Sequence, residues 1–357
     1  MNFNEVYFRL LFLLAACSTA LPNGSDASPP PNGSDASPPP KGSGECSSTK
    51  GWVTVASGTT QDLRSVWGDG SNVYAVGLEE TILRSTDYGA HWASGSIPAS
   101  PSGASYSLRG IWGVGSDFYV VGGYGNVPSF EAAAFHFANW GKFEAMPSLD
   151  GGGINAVWGT NTTNVYVSSL SHWDGHAWSK LNPPPGNRYG HVFATAIAPF
   201  SGNAVVFGGS VLNESKSLEV PGILAWTSAP FYSALGDGTQ PGNVSGLWTD
   251  LSGDHPVVYA VGAVWNSHAL LAHSQDLKTW TDVSGGDVAT LMANTRVLHG
   301  ITSSYAVGSG GTIFNWRTLK LESSGTTENL SSVWSGGGVW VAVGAHGTIL
   351  TNQCSTK

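Results

Sequence analysis

The stretch "LRSVWGDGSNVYAVG" spans residues 63–77, and two of its properties decide how the chain folds. The alternation in "VYAVG" suits a strand, and the Gly-, Asp- and Asn-containing "GDGSN" before it suits a tight hairpin, which needs residues that accept positive φ. The second property is that the stretch recurs. It returns as "LRGIWGVGSDFYVVG" (108–122), "INAVWGTNTTNVYVS" (154–168) and "LSSVWSGGGVWVAVG" (330–344). A Trp is followed ten residues on by Gly or Ser in each: Trp67 and Gly77, Trp112 and Gly122, Trp158 and Ser168, Trp334 and Gly344.

Weaker copies fill the intervals. "ATAIAPFSGNAVVFG" (194–208) carries Ala198 in the Trp position and reaches Gly208 at the same spacing. "VSGLWTDLSGDHPVVYAVG" (244–262) lengthens the turn, and "VLHGITSSYAVG" (297–308) shortens it. The seven units, anchored at Trp67, Trp112, Trp158, Ala198, Trp248, Thr302 and Trp334, repeat about every forty-five residues. Four short strands per unit at that period predict an all-β, seven-bladed β-propeller. The third strands read as "TILRS", "AAFHF", "ILAWT", "ALLAHS", "TIFNW" and "TILTN"; the fourth start near Trp92, Trp140, Trp178, Trp280 and Leu319.

Composition agrees with this reading. The 357 residues include 48 Gly and 15 Trp, with 41% hydrophobic but only 11% charged residues, which fits many short strands and tight turns. A formal charge of −9 argues against nucleic acid, whose phosphates call for clustered Lys and Arg.

The first fifty residues read differently. Arg9 precedes the apolar run "LLFLLAA", long enough for a signal-peptide core and too short to span a bilayer. The run ends in "LAAC", which resembles the lipobox of bacterial lipoproteins. That resemblance implies cleavage after residue 16, acyl chains on Cys17 and a membrane anchor, with Ser18 favouring the outer membrane; the alternative is a cleaved secretory peptide. "PNGSDASPP" at 22–30 repeats at 31–39, so residues 17–45 form an extended tether and the propeller occupies 46–357.

"STDYGAHW" (85–92) falls between strands three and four of the first unit. Its Ser85, Asp87, Gly89 and Trp92 fit the S-x-D-x-G-x-x-W pattern called the Asp-box, and Ser274, Asp276 and Trp280 form a partial copy. With these repeats, residues 51–354 resemble the Asp-box propellers, in particular the photosystem II assembly factor family, and the "VWG…YAVG" repeat lipoproteins of myxobacteria. The resemblance implies a non-enzymatic binding or assembly-scaffold protein in the cell envelope, and Asp-boxes that serve as turns. The alternative is an extracytoplasmic, sialidase-like glycan hydrolase. Sialidases resemble a different constellation: three Arg on a carboxylate, a Tyr with a Glu, and an acidic Asp. Here Arg64 and Arg109 take matching positions of strand one, but nothing in the spacing shows that they converge.

Other chemistry is sparse. "HWDGH" places His172, Asp174 and His176 at alternating positions, which could hold a metal on a strand, but a turn breaks that alternation, so no metal or cofactor is expected. A protein or glycan partner is expected on the loops joining strands two to three and four to one. Candidate contacts there are Tyr124, Glu131, Arg188, Tyr189, His191 and Trp265, since Tyr, Trp and Arg are common binding anchors. A monomer is expected.

The seventh unit ends before a fourth strand, whereas "GWVTVASG" (51–58) has no blade of its own. It resembles "HWASGS" (91–96), so it should close the last blade. The overlay sets Cys354 opposite Asp87 and Cys46 opposite Thr86, and with Cys17 lipidated these two remain to form a disulfide.

Overall fold

A strand buried on both faces has to be apolar on both. The second strand of each repeat meets that condition: "NVYAVG" (β3, Asn72–Gly77) and "VWVAVG" (β27, Val339–Gly344) are buried almost throughout. Both faces are covered because each blade is stacked between two others. The fourth strands, such as β5 (Ala93–Ser94) and β21 (Thr281–Asp282), are exposed and polar. The computed structural model describes residues 50–354 except 101, 126–130, 139, 142, 150–153, 184–188, 203, 236–237 and 266. The signal, tether, Cys17 and Cys46 readings lie outside the described residues.

Seven four-stranded antiparallel sheets form the molecule. Blade one holds β2 (Leu63–Asp69), β3, β4 (Ile82–Ser85) and β5. Blade two holds β6 (Tyr106–Val114), β7 (Asp117–Tyr124), β8 (Glu131–Ala138) and β9 (Phe143–Ala145), and blade three runs from β10 (Val157–Asn161) to β13 (Trp178–Lys180). Blade four comprises β14 (Tyr189–Pro199), β15 (Val205–Asn213), β16 (Leu218–Trp226) and β17 (Phe231–Ala234). Blade five runs from β18 (Gly242–Asp250) through β19 (Val257–Val264) and β20 (His268–Ser274) to β21, and blade six from β22 (Leu298–Ile301) to β25 (Lys320–Glu322). Blade seven starts with β26 (Leu330–Gly336) and β27 and continues with β28 (Ile349–Gln353). Each first strand contacts the first strands of both neighbouring blades, so they form a closed inner ring.

The ring closes as the sequence implies. β1 (Val53–Val55) pairs with β28, Val53 opposite Thr351 and Val55 opposite Ile349, and supplies the fourth strand of blade seven. Ala93 faces Arg84 in blade one as Val53 faces Thr351 here, so Trp52 takes the place of Trp92. Trp52 is buried against Tyr305 of blade six and donates its Nε1–H to Glu322 at 3.0 Å.

Seven apolar cores hold the blades together, one at each interface. The "WG" pair explains how the inner ends meet. A Cβ on Gly113 would lie 2.7 Å from the Trp67 ring, one on Gly159 2.9 Å from Trp112, and one on Gly68 2.8 Å from Trp334. Each indole thus covers the glycine that follows the next blade's Trp.

A second glycine shapes the inner strand. In blade one the pairing slips between Leu63 and Ser65, so Arg64 is a bulge residue without an opposite partner on β3. The bulge presses the Asp62 carbonyl onto Gly77, where a Cβ would sit 2.0 Å from that oxygen. Blades two, four, five, six and seven repeat this at Gly122, Gly209, Gly262, Gly308 and Gly344. In blade four the glycine is therefore Gly209, not the Gly208 that simple spacing selects. Blade three carries Ser168 instead, whose Oγ accepts the Asn155 and Ala156 amide hydrogens at 2.9 and 3.2 Å. The short helix α1 (Gly286–Leu291) between blades five and six carries no repeat signal; its Val288, with Met292 behind it, is buried against both blades.

Gly77→Ala is expected to cost roughly 1–3 kcal/mol, because the methyl meets a backbone carbonyl that cannot swing away. Gly253→Ala, whose nearest neighbour would be 3.7 Å off, should stay within about 0.5 kcal/mol. Denaturant unfolding of the two variants checks this, and equal stabilities would contradict the bulge as described.

Candidate functional site

Loops joining strands two to three and four to one share one face, and the inner strands enter the channel from it. Near that mouth the bulge contributes one residue in each of six blades: Arg64, Arg109, Thr195, Ser245, His299 and Ser331. In blade three the sequence repeat places Asn155 at the matching position. All seven are polar, and none is a carboxylate. In the sequence each is the second residue of the run before the anchor, as in L-R-S-V-W and L-H-G-I-T, which is the signal that identifies the ring.

Neighbouring members of the ring touch. Arg109 donates from Nη1 to Asn155 Oδ1 at 3.0 Å and from Nε to Ser107 Oγ at 3.3 Å, and Thr195 bonds the Val244 carbonyl. A cavity of about 260 Å³ opens beside Arg64, Ser245, His299 and Ser331, with Asp62 and Asn329 at its rim. Arg64 pairs with Asp62 at 3.1 Å. Burial, aided by the Arg64 charge, holds the His299 imidazole below its usual pKa, so the ring is neutral near pH 7. Burial and Arg64 likewise lower the Arg109 pKa, which places two guanidinium groups within Coulombic reach of one another.

Of the predicted contacts, the structure joins two. Tyr124 ends β7 and Glu131 opens β8, directly opposite in register, and the Tyr124 hydroxyl donates to Glu131 Oε2 at 2.6 Å. The carboxylate acceptor raises the Tyr124 pKa. Trp265 lies just beyond β19 on blade five, 37% exposed, with its amide hydrogen on the Pro241 carbonyl at 2.8 Å. Tyr189 and His191 belong to β14 on blade four, and Arg188 lies outside the described residues. These candidates share a face but not a blade. Phe193, which the sequence reading passed over, is 53% exposed at the register position of Asp62.

The turn at 85–92 lies at the opposite end of blade one. Ser85 Oγ donates to Asp87 Oδ1 at 2.7 Å and accepts the Gly89 amide hydrogen at 2.8 Å. Asp87 also takes the His91 amide hydrogen at 2.9 Å and faces the His91 ring at 2.6 Å, which lowers its pKa to about 2. Gly89 adopts φ +88°, and Trp92 Nε1 donates to the Gly89 carbonyl at 2.9 Å. The partial copy is built alike: Asp276 accepts the Lys278 and Thr279 amide hydrogens at 2.8 and 2.7 Å, and its pKa falls to about 2. The carboxylates of Asp87 and Asp276 are thus engaged within their own turns. The blade-one turn also packs on blade seven, with Tyr88 against Gly337 and Gly89 against Val341.

At "HWDGH" the bend separates the three side chains. His172, in the third strand, contacts Asn164 Oδ1 at 2.7 Å, while Asp174 accepts the His176 and Ala177 amide hydrogens at 2.8 Å each. Among the described residues no three potential metal ligands gather.

No family model matches the chain, and no curated protein matches it either. Among solved structures it is similar to YCF48 bound to D1 peptide, at 14% identity and a TM-score of 0.60 over 86% of this chain and 98% of that one. YCF48 from Cyanidioschyzon merolae follows at 13% identity and a TM-score of 0.58, covering 84% of this chain and 98% of that one. A catalytically inactive variant of virginiamycin B lyase from Staphylococcus aureus with quinupristin gives 8% identity and a TM-score of 0.56, covering 85% and 98%. At these identities the likenesses show the shared seven-bladed fold.

Because the pKa values of Asp87 and Asp276 are depressed in the fold, their support is full above the ordinary carboxylate value of 3.8 and is lost as pH falls through about 2. The double variant Asp87→Asn/Asp276→Asn should melt roughly 2–4 °C below wild type at pH 6, with the gap narrowing towards pH 3. Thermal melts across that range check it; a pH-independent gap would contradict the carboxylates' role.

Proposed function

We propose that this chain is a non-enzymatic binding or assembly-scaffold propeller, held outside the cytoplasm on a membrane by acyl chains on Cys17, and that a protein partner docks on its channel-mouth face. The carrying observation is how polar groups are distributed between the two ends. The carboxylates of Asp87 and Asp276 are held by hydrogen bonds within their own turns, whereas the channel-mouth face offers the bulge ring, the exposed Phe193 and Trp265, and the Tyr124–Glu131 pair. The fold it shares with YCF48, seen in complex with a D1 peptide, fits such a role. "LAAC" supports the anchor, and a bacterial outer membrane is the location that follows from Ser18.

One observation favours a second reading, a sialidase-like hydrolase. Tyr124 with Glu131 and Arg64 near Arg109 are the residue types such enzymes use. Against it, Glu131 raises rather than lowers the Tyr124 pKa, and the bulge ring holds no acidic residue to protonate a leaving group.

A disulfide from Cys46 to Cys354 is part of the proposal. Cys354 donates its amide hydrogen to the Gly338 carbonyl at 2.9 Å, and the Lys50 amide hydrogen reaches the Gln353 carbonyl at 2.9 Å, so the chain four residues beyond Cys46 already runs alongside.

Crosslinking pull-down from membranes should recover a protein partner with wild type and with Asp87→Ala, and lose it with the pair Phe193→Ser/Trp265→Ser. Retention by that pair, or cleavage of a fluorogenic sialoside by the purified chain, would overturn the binding reading. Mass spectrometry of the mature protein should find acyl chains on Cys17 and, without reduction, Cys46 joined to Cys354. A lipid-free Cys17, or free thiols at both other positions, would refute the corresponding part.

A further inference from the structure

Hydrogen bonding in the channel cavity is unbalanced, and we propose that this cavity binds a small oxyanion, a carboxylate or a phosphate, between blades one, five, six and seven. Each side-chain acceptor at its rim already takes a hydrogen bond. Asp62 takes Arg64 on Oδ2 at 3.1 Å and the His346 amide hydrogen on Oδ1 at 3.0 Å. Asn329 Oδ1 takes the Gly310 amide hydrogen at 2.8 Å, which leaves its Nδ2 hydrogens. Ser245 Oγ accepts from Asn243 Nδ2 at 3.2 Å, which leaves its own hydroxyl hydrogen.

The donors are not used up. Arg64 directs one nitrogen at Asp62, and its side chain is 43% exposed, so most of its fork remains for a ligand. Ser331 and His299 line the same cavity. A neutral imidazole can turn an N–H towards an anion, and a hydroxyl can do the same. A metal cation would find no uncommitted carboxylate here, whereas an oxyanion would meet a guanidinium with several neutral donors, the arrangement that binds such groups well. Arg109, held by Asn155 on the adjoining side of the channel, adds positive potential without entering the contact. The cavity shares the channel-mouth face with the proposed partner surface but not its exposed aromatic residues, so anion titration and the pull-down with Phe193→Ser/Trp265→Ser report on the two readings separately.

Isothermal titration of the purified full-length protein with sodium succinate, and separately with inorganic phosphate, tests this against sodium chloride at matched ionic strength. Saturable binding of at least one anion below about 10 mM is expected. The stronger arm identifies the oxyanion class. Arg64→Gln should weaken it at least about tenfold by removing the charged donor. Ser331→Val should do likewise by filling the cavity while the charge stays. Labelled-histidine spectra of the wild type should show the His299 ring moving with the same saturation, a readout that holds even if a variant folds poorly. No saturable binding of either anion, or an Arg64→Gln variant that folds and binds as wild type does, would overturn the proposal.

Discussion

The contact on which the ring depends is an indole lying over a bare glycine. Trp67, Trp112 and Trp334 each cover the glycine after the next blade's anchor, and any side chain there would push the inner strands apart. A closed ring amplifies that constraint, because a displacement at one interface has to be absorbed by the others. Where the pair is missing, other groups take over. Blade six has Thr302 at its anchor; Trp316 fills the gap, donating Nε1–H to the Thr302 carbonyl at 3.0 Å and packing at a tilt against Tyr259 and Trp248 of blade five. Thr302 itself meets Ser335 of blade seven at 2.6 Å. Blade four has Ala198 and Pro199 there, and its three long strands extend the packing along the blade instead.

A second glycine links this fold to the chemistry of the channel. In six blades the bulge of the first strand exists because Gly77 and its equivalents accept a carbonyl where a Cβ would sit. Its geometric effect is to take one residue of each of those blades out of the pairing pattern. That residue is freed from core packing, so its chemistry can vary without cost to the ring, from Arg64 to Thr195 to His299. The scaffold and the chemistry of the channel are therefore written at different positions of the same short run.

This also explains which parts could be read in advance. Blade number, hairpins and the closing strand were legible because Trp…Gly spacing and turn residues report on local geometry. The ring was not, because strict alternation puts Arg64 on the face of Val66, and only the slip between Leu63 and Ser65 breaks that phase. Tyr124 and Glu131 were picked out singly; their meeting follows from the β7–β8 register, which their spacing alone does not state. "FYSA" (Phe231–Ala234) was missed as a fourth strand because no Trp marks it.

The seam between blades one and seven shows how the two halves of the design meet. It is bridged at three levels: Tyr88 and Gly89 lap over blade seven at one end, Trp334 covers Gly68 in the middle, and His346 donates its amide hydrogen to Asp62 at the other end. His346 can make that bond because its backbone takes φ 52°, and its ring is held by Glu328 at 2.7 Å. Asp62 is thus shared between the seam and the channel, since its other oxygen holds Arg64. Whatever draws the Arg64 guanidinium off Asp62 changes the charge balance at one of the three bridges and leaves the other two untouched. The turn that carries Asp87 bridges the same seam from the far end, through Tyr88 and Gly89, and makes none of its contacts in the channel.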